Sequence, residues 1–253
     1  MKMRQGGTVM RRITIICTLA LVVLTAVALT GCVRVELPDA GEATTESDSI
    51  APQGATELSV TIRMGAGRLN VTGGADGVMD ATYEFSDAEW RPEVRYDVSG
   101  TEGSLVVETP TRPRIDLSGR MRYDWDIALS DDLPTELTVA MGAGESDLDL
   151  GSLDLRRLRV DMGAGDATID LAGTPRHDLS AEINAGAGAF TLRVPADVGV
   201  RIVGYQDGIG AYHADGFTQD GDALVNDAYG DTPVSFDIIL RRGLGEVTVE
   251  TVG

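Results

Sequence analysis

The sequence predicts an all-β fold: a parallel β-solenoid whose rungs of about 22 residues stack into a single sheet. Two observations carry this expectation. A Gly-Ala-Gly motif recurs at near-constant spacing, and apolar and polar residues alternate on both sides of it. A third supports it: after residue 31 no stretch shows the 3.6-residue periodicity of an amphipathic helix.

In chain order, residues 1–31 read as a signal peptide. Lys2, Arg4, Arg11 and Arg12 form a positive start, and the segment from Ile13 to Ala28 is almost wholly apolar. Leu29-Thr30-Gly31-Cys32 follows, and this run resembles the lipobox of bacterial lipoproteins. The resemblance implies cleavage before Cys32 and a diacylglycerol thioether on its sulfur. Each buried CH2 of such an anchor contributes about 0.8 kcal/mol, so two chains hold durably where one does not. Val33 stands where inner-membrane retention signals resemble an aspartate, which points to an outer membrane where the host has one. Residues 32–56 then read as a lipidated flexible linker, because Pro38 to Ala55 is rich in small, acidic, Pro and Gly residues.

Residues 57–253 read as the solenoid. Met64-Gly65-Ala66-Gly67, Met141-Gly142-Ala143-Gly144 and Met162-Gly163-Ala164-Gly165 are followed by looser copies at Gly186–Gly188, Gly208–Gly210 and Gly243–Gly245. The copies that begin at Gly142, Gly163, Gly186 and Gly208 lie 21 to 23 residues apart. Before each motif the inward set reads Val60, Ile62, Met64; Leu137, Val139, Met141; Leu158, Val160, Met162; Ala181, Ile183, Ala185; and Ile238, Leu240, Arg242. After it come Leu69 and Val71; Leu148 and Leu150; Ala167, Ile169 and Leu171; Phe190, Leu192 and Val194; Val247 and Val249. Period-2 alternation means half-buried strands on either side. Stacked rungs lie ~4.8 Å apart, so equivalent corners superpose and only small residues fit them. Gly65, Gly67, Gly142, Gly144, Gly163, Gly165, Gly186, Gly188, Gly208, Gly210, Gly243 and Gly245 are therefore the expected corner residues. An antiparallel β-sandwich with a hairpin at each motif is the alternative.

Residues 76–132 break the period. Asp80–Phe85, Glu93–Val98, Gly103–Glu108 and Tyr123–Leu129 read as strands of an inserted β-meander that caps the stack, and this block holds Trp90 and Trp125. Near the C-terminal end, Tyr205, Tyr212, Phe217 and Tyr229 are expected to plug the core.

The run from Tyr123-Asp124-Trp125 through Leu133-Pro134-Thr135 to the second Met-Gly-Ala-Gly resembles toastrack-type β-solenoid domains of bacterial envelope proteins, including those of the cell-wall-stress response. The resemblance covers roughly 57–253. It implies an extracytoplasmic interaction or stress-sensing module. Those relatives carry transmembrane helices ahead of the solenoid, whereas this chain has a lipobox there.

Composition limits the chemistry. The net charge is −19, and Lys2 is the only lysine, which argues against nucleic acid as a partner. Cys17 and Cys32 lie outside the solenoid, so neither a disulfide framework nor a thiolate metal site is expected. Gly-Ala-Gly lacks the spacing of a phosphate loop or a dinucleotide fold, so no nucleotide or other cofactor is expected. Asp215, Asp220 and Asp222, with Asp227 and Asp231, are weak Ca2+ candidates. Asp147, Asp149, Asp161, Asp166 and Asp170 could be brought together as a glycosidase pair. His177 and His213 lack a nearby nucleophile motif. The reading is a non-enzymatic envelope interaction module. A polysaccharide-binding or polysaccharide-acting β-helix and an adhesion spacer are the alternatives, with an envelope protein or a glycan as the partner.

Overall fold

The computed structural model describes residues 43–110 and 122–253, so the expected signal peptide and lipobox lie outside the described residues. The strands, in chain order, are β1 (Thr44–Ile50), β2 (Glu57–Gly73), β3 (Met79–Phe85), β4 (Glu93–Ser99), β5 (Glu102–Glu108), β6 (Tyr123–Leu129) and β7 (Thr135–Asp149). They continue with β8 (Leu155–Asp170), β9 (Leu179–Pro195), β10 (Gly199–Val203), β11 (Tyr212–Asp215), β12 (Phe217–Asp220), β13 (Ala223–Asn226) and β14 (Ser235–Val252). All belong to one sheet, and the longest of them pair in parallel.

The long strands cannot be straight. A straight strand of β7's length spans about 50 Å, yet the link through 150–154 to the parallel start of β8 spans at most about 20 Å. Each strand therefore folds back at its Gly-Ala-Gly, or in β14 at Gly243-Leu244-Gly245, into two arms. The burial pattern records the bend: Leu58, Val60, Ile62 and Met64 are buried in the first arm, Leu69 and Val71 in the second. The odd step from Met64 to Leu69 resets the alternation, so both arms turn their apolar side inward.

The register is that of a stack. Met64 lies beside Met141 and Met141 beside Met162, while Gly67, Gly144 and Gly165 follow one another. A Cβ on Gly165 would fall well inside contact distance of the Gly144 carbonyl oxygen, and its φ is +120°. The return corner is built the same way, since a Cβ on Gly173 would collide with the Gly151 carbonyl. Backbone thus rests on backbone at both corners.

Spatial order departs from chain order at both ends. β14 lies between β9 and the pair β10 and β11, so the Gly243 corner stacks on Gly186 and the Gly208 corner sits outside it. The reason is length. β14 matches both arms of β9 over almost its whole length, whereas β10 and β11 are fragments. At the other end β5 and β6 pair with the first and second arms of β2. The segment expected as an inserted cap therefore supplies a broken rung of the stack, and only β3 and β4 add antiparallel strands beyond it.

Thr44–Ile50, expected within the linker, is a strand paired antiparallel with β3. Its Ser47 and Ser49 hydroxyls bond Thr82 and Asp80. Glu46 and Asp48 share the inward side with Ile50, and Arg91 binds both carboxylates across the end of the stack. Inward charge on an edge strand discourages further pairing. One hydrophobic core runs the length of the stack. Its β1 end is filled by edge-to-face rings: Trp90 on Tyr123, and Trp125 against both Tyr123 and Tyr83.

Candidate functional site

The outward residues of the two arms form two different surfaces. On the first arm, charges are paired within the chain. Arg159 binds Asp161 and Glu182, Arg241 binds Glu182 and Asn184, and Glu108 binds Arg63 and Arg95. The Arg241 hydrogen bond holds the Glu182 carboxyl below its ordinary range, and Arg95 does the same for Glu108.

The second arm presents short polar side chains in register. Asp126, Asn70, Asp147, Thr168, Thr191 and Thr248 follow one another across β6, β2, β7, β8, β9 and β14. An open depression of about 560 Å³ lies over the first five, from Asp126 to Thr191, bordered by Arg68, Glu145 and Asp166. Burial raises the carboxyl of Asp124, which lies beside Arg68 in register.

The carboxylates considered for catalysis are split by this geometry. Asp161 faces out from the first arm, while Asp147, Asp149, Asp166 and Asp170 belong to the second. Asp149 and Asp170 are neighbours in register, with Arg193 reaching Asp170 and Glu250. They lie side by side on one exposed sheet face, not on opposite sides of a cleft where a glycosidic bond would sit.

The acidic residues near the C-terminal end are also dispersed. Asp215 ends β11, Asp220 ends β12 and Asp222 is in the turn that follows, all exposed. Among the described residues no three His, Cys, Asp or Glu side chains are grouped so as to hold a metal ion.

The histidines have separate surroundings. His177 Nδ1 lies 2.8 Å from Asp154, a buried carboxylate, and Arg156 faces its Nε2 at 3.3 Å. This links one return corner to the next. His213 is exposed, 3.8 Å from Glu246.

At the β11 end, Tyr205 is buried, and Tyr212 and Phe217 pack against the core, whereas Tyr229 is 39% exposed and does not plug it. Tyr205 and Tyr212 stack with centroids 5.3 Å apart. Arg242 lies over the Tyr212 ring, its Cζ 4.8 Å from the centroid. Burial pushes the Tyr212 hydroxyl up to about 12. The aromatics were visible in the sequence. Their meeting with Arg242 was not, because it depends on β14 entering the stack beneath β11. The one available signal was an arginine at a position where other copies carry Met or Ala.

Among the described residues no helix is long and apolar enough to cross a membrane. No curated protein matches the chain. Among solved structures, a proposed cell adhesion protein from Clostridium sporogenes is 27% identical; the match covers 83% of this chain and all of that one, with a TM-score of 0.76. A proposed adhesin from Bacteroides fragilis is 11% identical over 82% of this chain and 97% of that one, with a TM-score of 0.28. The family model described as the N-terminal domain of toast_rack, DUF2154, matches residues 39–193. That is more than half of the chain, so the protein belongs to this toast_rack family.

Proposed function

We propose that this chain is a non-catalytic surface module that mediates adhesion or contact at the cell envelope, tethered by a lipid on Cys32. One observation carries the reading: the corner-stacked rungs form a body whose outer faces are regular and whose larger depressions are open. Such a body suits display of a surface better than enclosure of a substrate. The likeness to the clostridial cell adhesion protein over all of that chain supports it. Leu29-Thr30-Gly31-Cys32 supports the tether, and an acidic surface keeps the body soluble beside its membrane.

Beads coated with the full chain should bind cells of the host above beads coated with an unrelated acidic protein. Soluble chain should compete. No excess binding, or release of sugar when the chain is incubated with envelope glycans, overturns the reading. For the tether, C32S should shift the protein from the membrane to the soluble fraction. Unchanged membrane association refutes lipidation.

A further inference from the structure

At the last residue before each corner, the inward side chain is Met64, Met141, Met162 or Ala185 in β2, β7, β8 and β9. In β14 it is Arg242. The repeat itself shows that the fold accepts an apolar residue here, so the charge is not a requirement of the stack. A cation at an apolar position without an internal counter-charge breaks a local rule, and such breaks cluster at functional sites.

Among the described residues no carboxylate lies within 4.0 Å of Arg242, whereas Arg159, Arg193 and Arg241 in the same stack are each paired with an acid. Its contacts are the Tyr212 ring at 4.8 Å and a long hydrogen bond of 3.4 Å from Nη2 to the Gly210 carbonyl oxygen. Its Nε is shielded and has no partner among the described residues, and the same holds for the Tyr212 hydroxyl. Stacking on tyrosine holds the guanidinium flat, and among the described residues its Nη1 donates to none.

The adjoining chain is apolar and exposed. Ile209, next to Gly210, is 71% exposed, and Leu244, two residues after Arg242, is 59% exposed; the two are joined as a β-bridge. These are the most exposed large apolar side chains of the described residues. On the outer side of β11, no strand among the described residues pairs further.

We infer that Arg242, Tyr212, Ile209 and Leu244 form a binding site for an amphiphilic anion, a carboxylate or phosphate borne on a hydrocarbon. The oxyanion accepts from the guanidinium fork, and the hydrocarbon lies along Ile209 and Leu244. The site owes nothing to catalysis, and it stands or falls separately from the adhesion reading.

The test uses the full chain in a zwitterionic detergent, labelled at arginine and tyrosine for NMR, and octanoate as the probe. Octanoate should shift the Arg242 Nε–H and Tyr212 ring resonances saturably. Acetate, which lacks the chain, and octanol, which lacks the charge, should each bind at least about tenfold more weakly. R242M restores the residue of the earlier rungs and should fold, yet bind octanoate roughly ten- to a hundredfold more weakly, as expected for loss of a charge-assisted bond. Should R242M fail to fold, R242K keeps the charge but not the fork and should bind with intermediate affinity. Absence of saturable shifts in the wild type overturns the proposal, as does undiminished octanoate binding by R242M or, where that variant is unfolded, by R242K.

Discussion

Replacing Gly165 by alanine should be among the most damaging single-methyl additions in the chain. Two separate penalties meet at this residue. Its φ of +120° is a conformation that L side chains rarely adopt, which costs about 1–3 kcal/mol. The added Cβ would also sit about 1 Å inside the 3.0 Å that real Cβ atoms keep, against the Gly144 carbonyl oxygen. Relief requires the two rungs to part locally, which weakens the ladder bonds beside the corner. Losing two of them removes about 1–3 kcal/mol more. The sum is about 2–6 kcal/mol, a large part of the ~5–15 kcal/mol that holds a domain together. G163A and G221A separate the terms. At Gly163 the Cβ collides with the Gly142 carbonyl but φ is ordinary, so only the steric part remains. At Gly221 φ is +63° and nothing lies within 4 Å, so only about 1–2 kcal/mol of backbone strain is expected. Urea unfolding followed by circular dichroism reads all three against the wild type. With an m-value of about 2–3 kcal/mol per molar, G165A should lower the midpoint by about 1–3 M. Equal midpoints for G165A and G221A would refute the claim that the corners are limited by rung-to-rung contact.

Other perturbations probe different parts of the stack. Asn226 is buried and acts as a piece of strand, accepting from the Val200 N–H and donating to the Val198 carbonyl; N226A strands both groups and should cost about 2–4 kcal/mol in a thermal melt. Arg241 first and Arg159 next hold the Glu182 carboxyl below its ordinary 4.5, so this stabilisation is complete above 4.5 and fades as pH falls through the folded value. E182Q should therefore lose less stability than the wild type between neutral pH and the acid range, and parallel pH curves would contradict this. W125A removes the ring at the centre of the edge-to-face cluster and should cost about 3–5 kcal/mol, read as a loss of melting temperature.

What was legible in the sequence was whatever repeats. The glycine corners announce themselves because a Cβ there meets backbone that no rotamer change can move. The arms announce themselves because one face of each is buried, from Leu137 to Met141 and from Leu158 to Met162 alike. The edges were less legible. Thr44–Ile50 carries one large apolar residue and turns Glu46 and Asp48 inward, so its alternation reads as a polar linker until Arg91 is seen across from it. Spatial order was hidden for a related reason. The Gly208 copy keeps the 22-residue interval, yet the strands on either side of it, β10 and β11, are only five and four residues long. Interval measures chain between corners, not how much of that chain can pair.

That distinction explains where the unusual chemistry collects. The strands β2, β7, β8, β9 and β14 cover one another along both arms, and their corner residues admit almost no variation. Broken rungs fall to the outside, β5 with β6 at one end and β10 with β11 at the other. There a strand has at most one full-length neighbour to satisfy, so side chains can depart from the repeat without parting two rungs. Trp90, Arg91 and Trp125 make such a departure at the first end, and their partners are internal. Tyr205, Tyr212 and Arg242 make it at the second, and there, among the described residues, no carboxylate lies within 4.0 Å of the positive charge. An apolar position filled by an uncompensated cation, on a chain with a net charge of −19, is the place where an external anion gains most by binding.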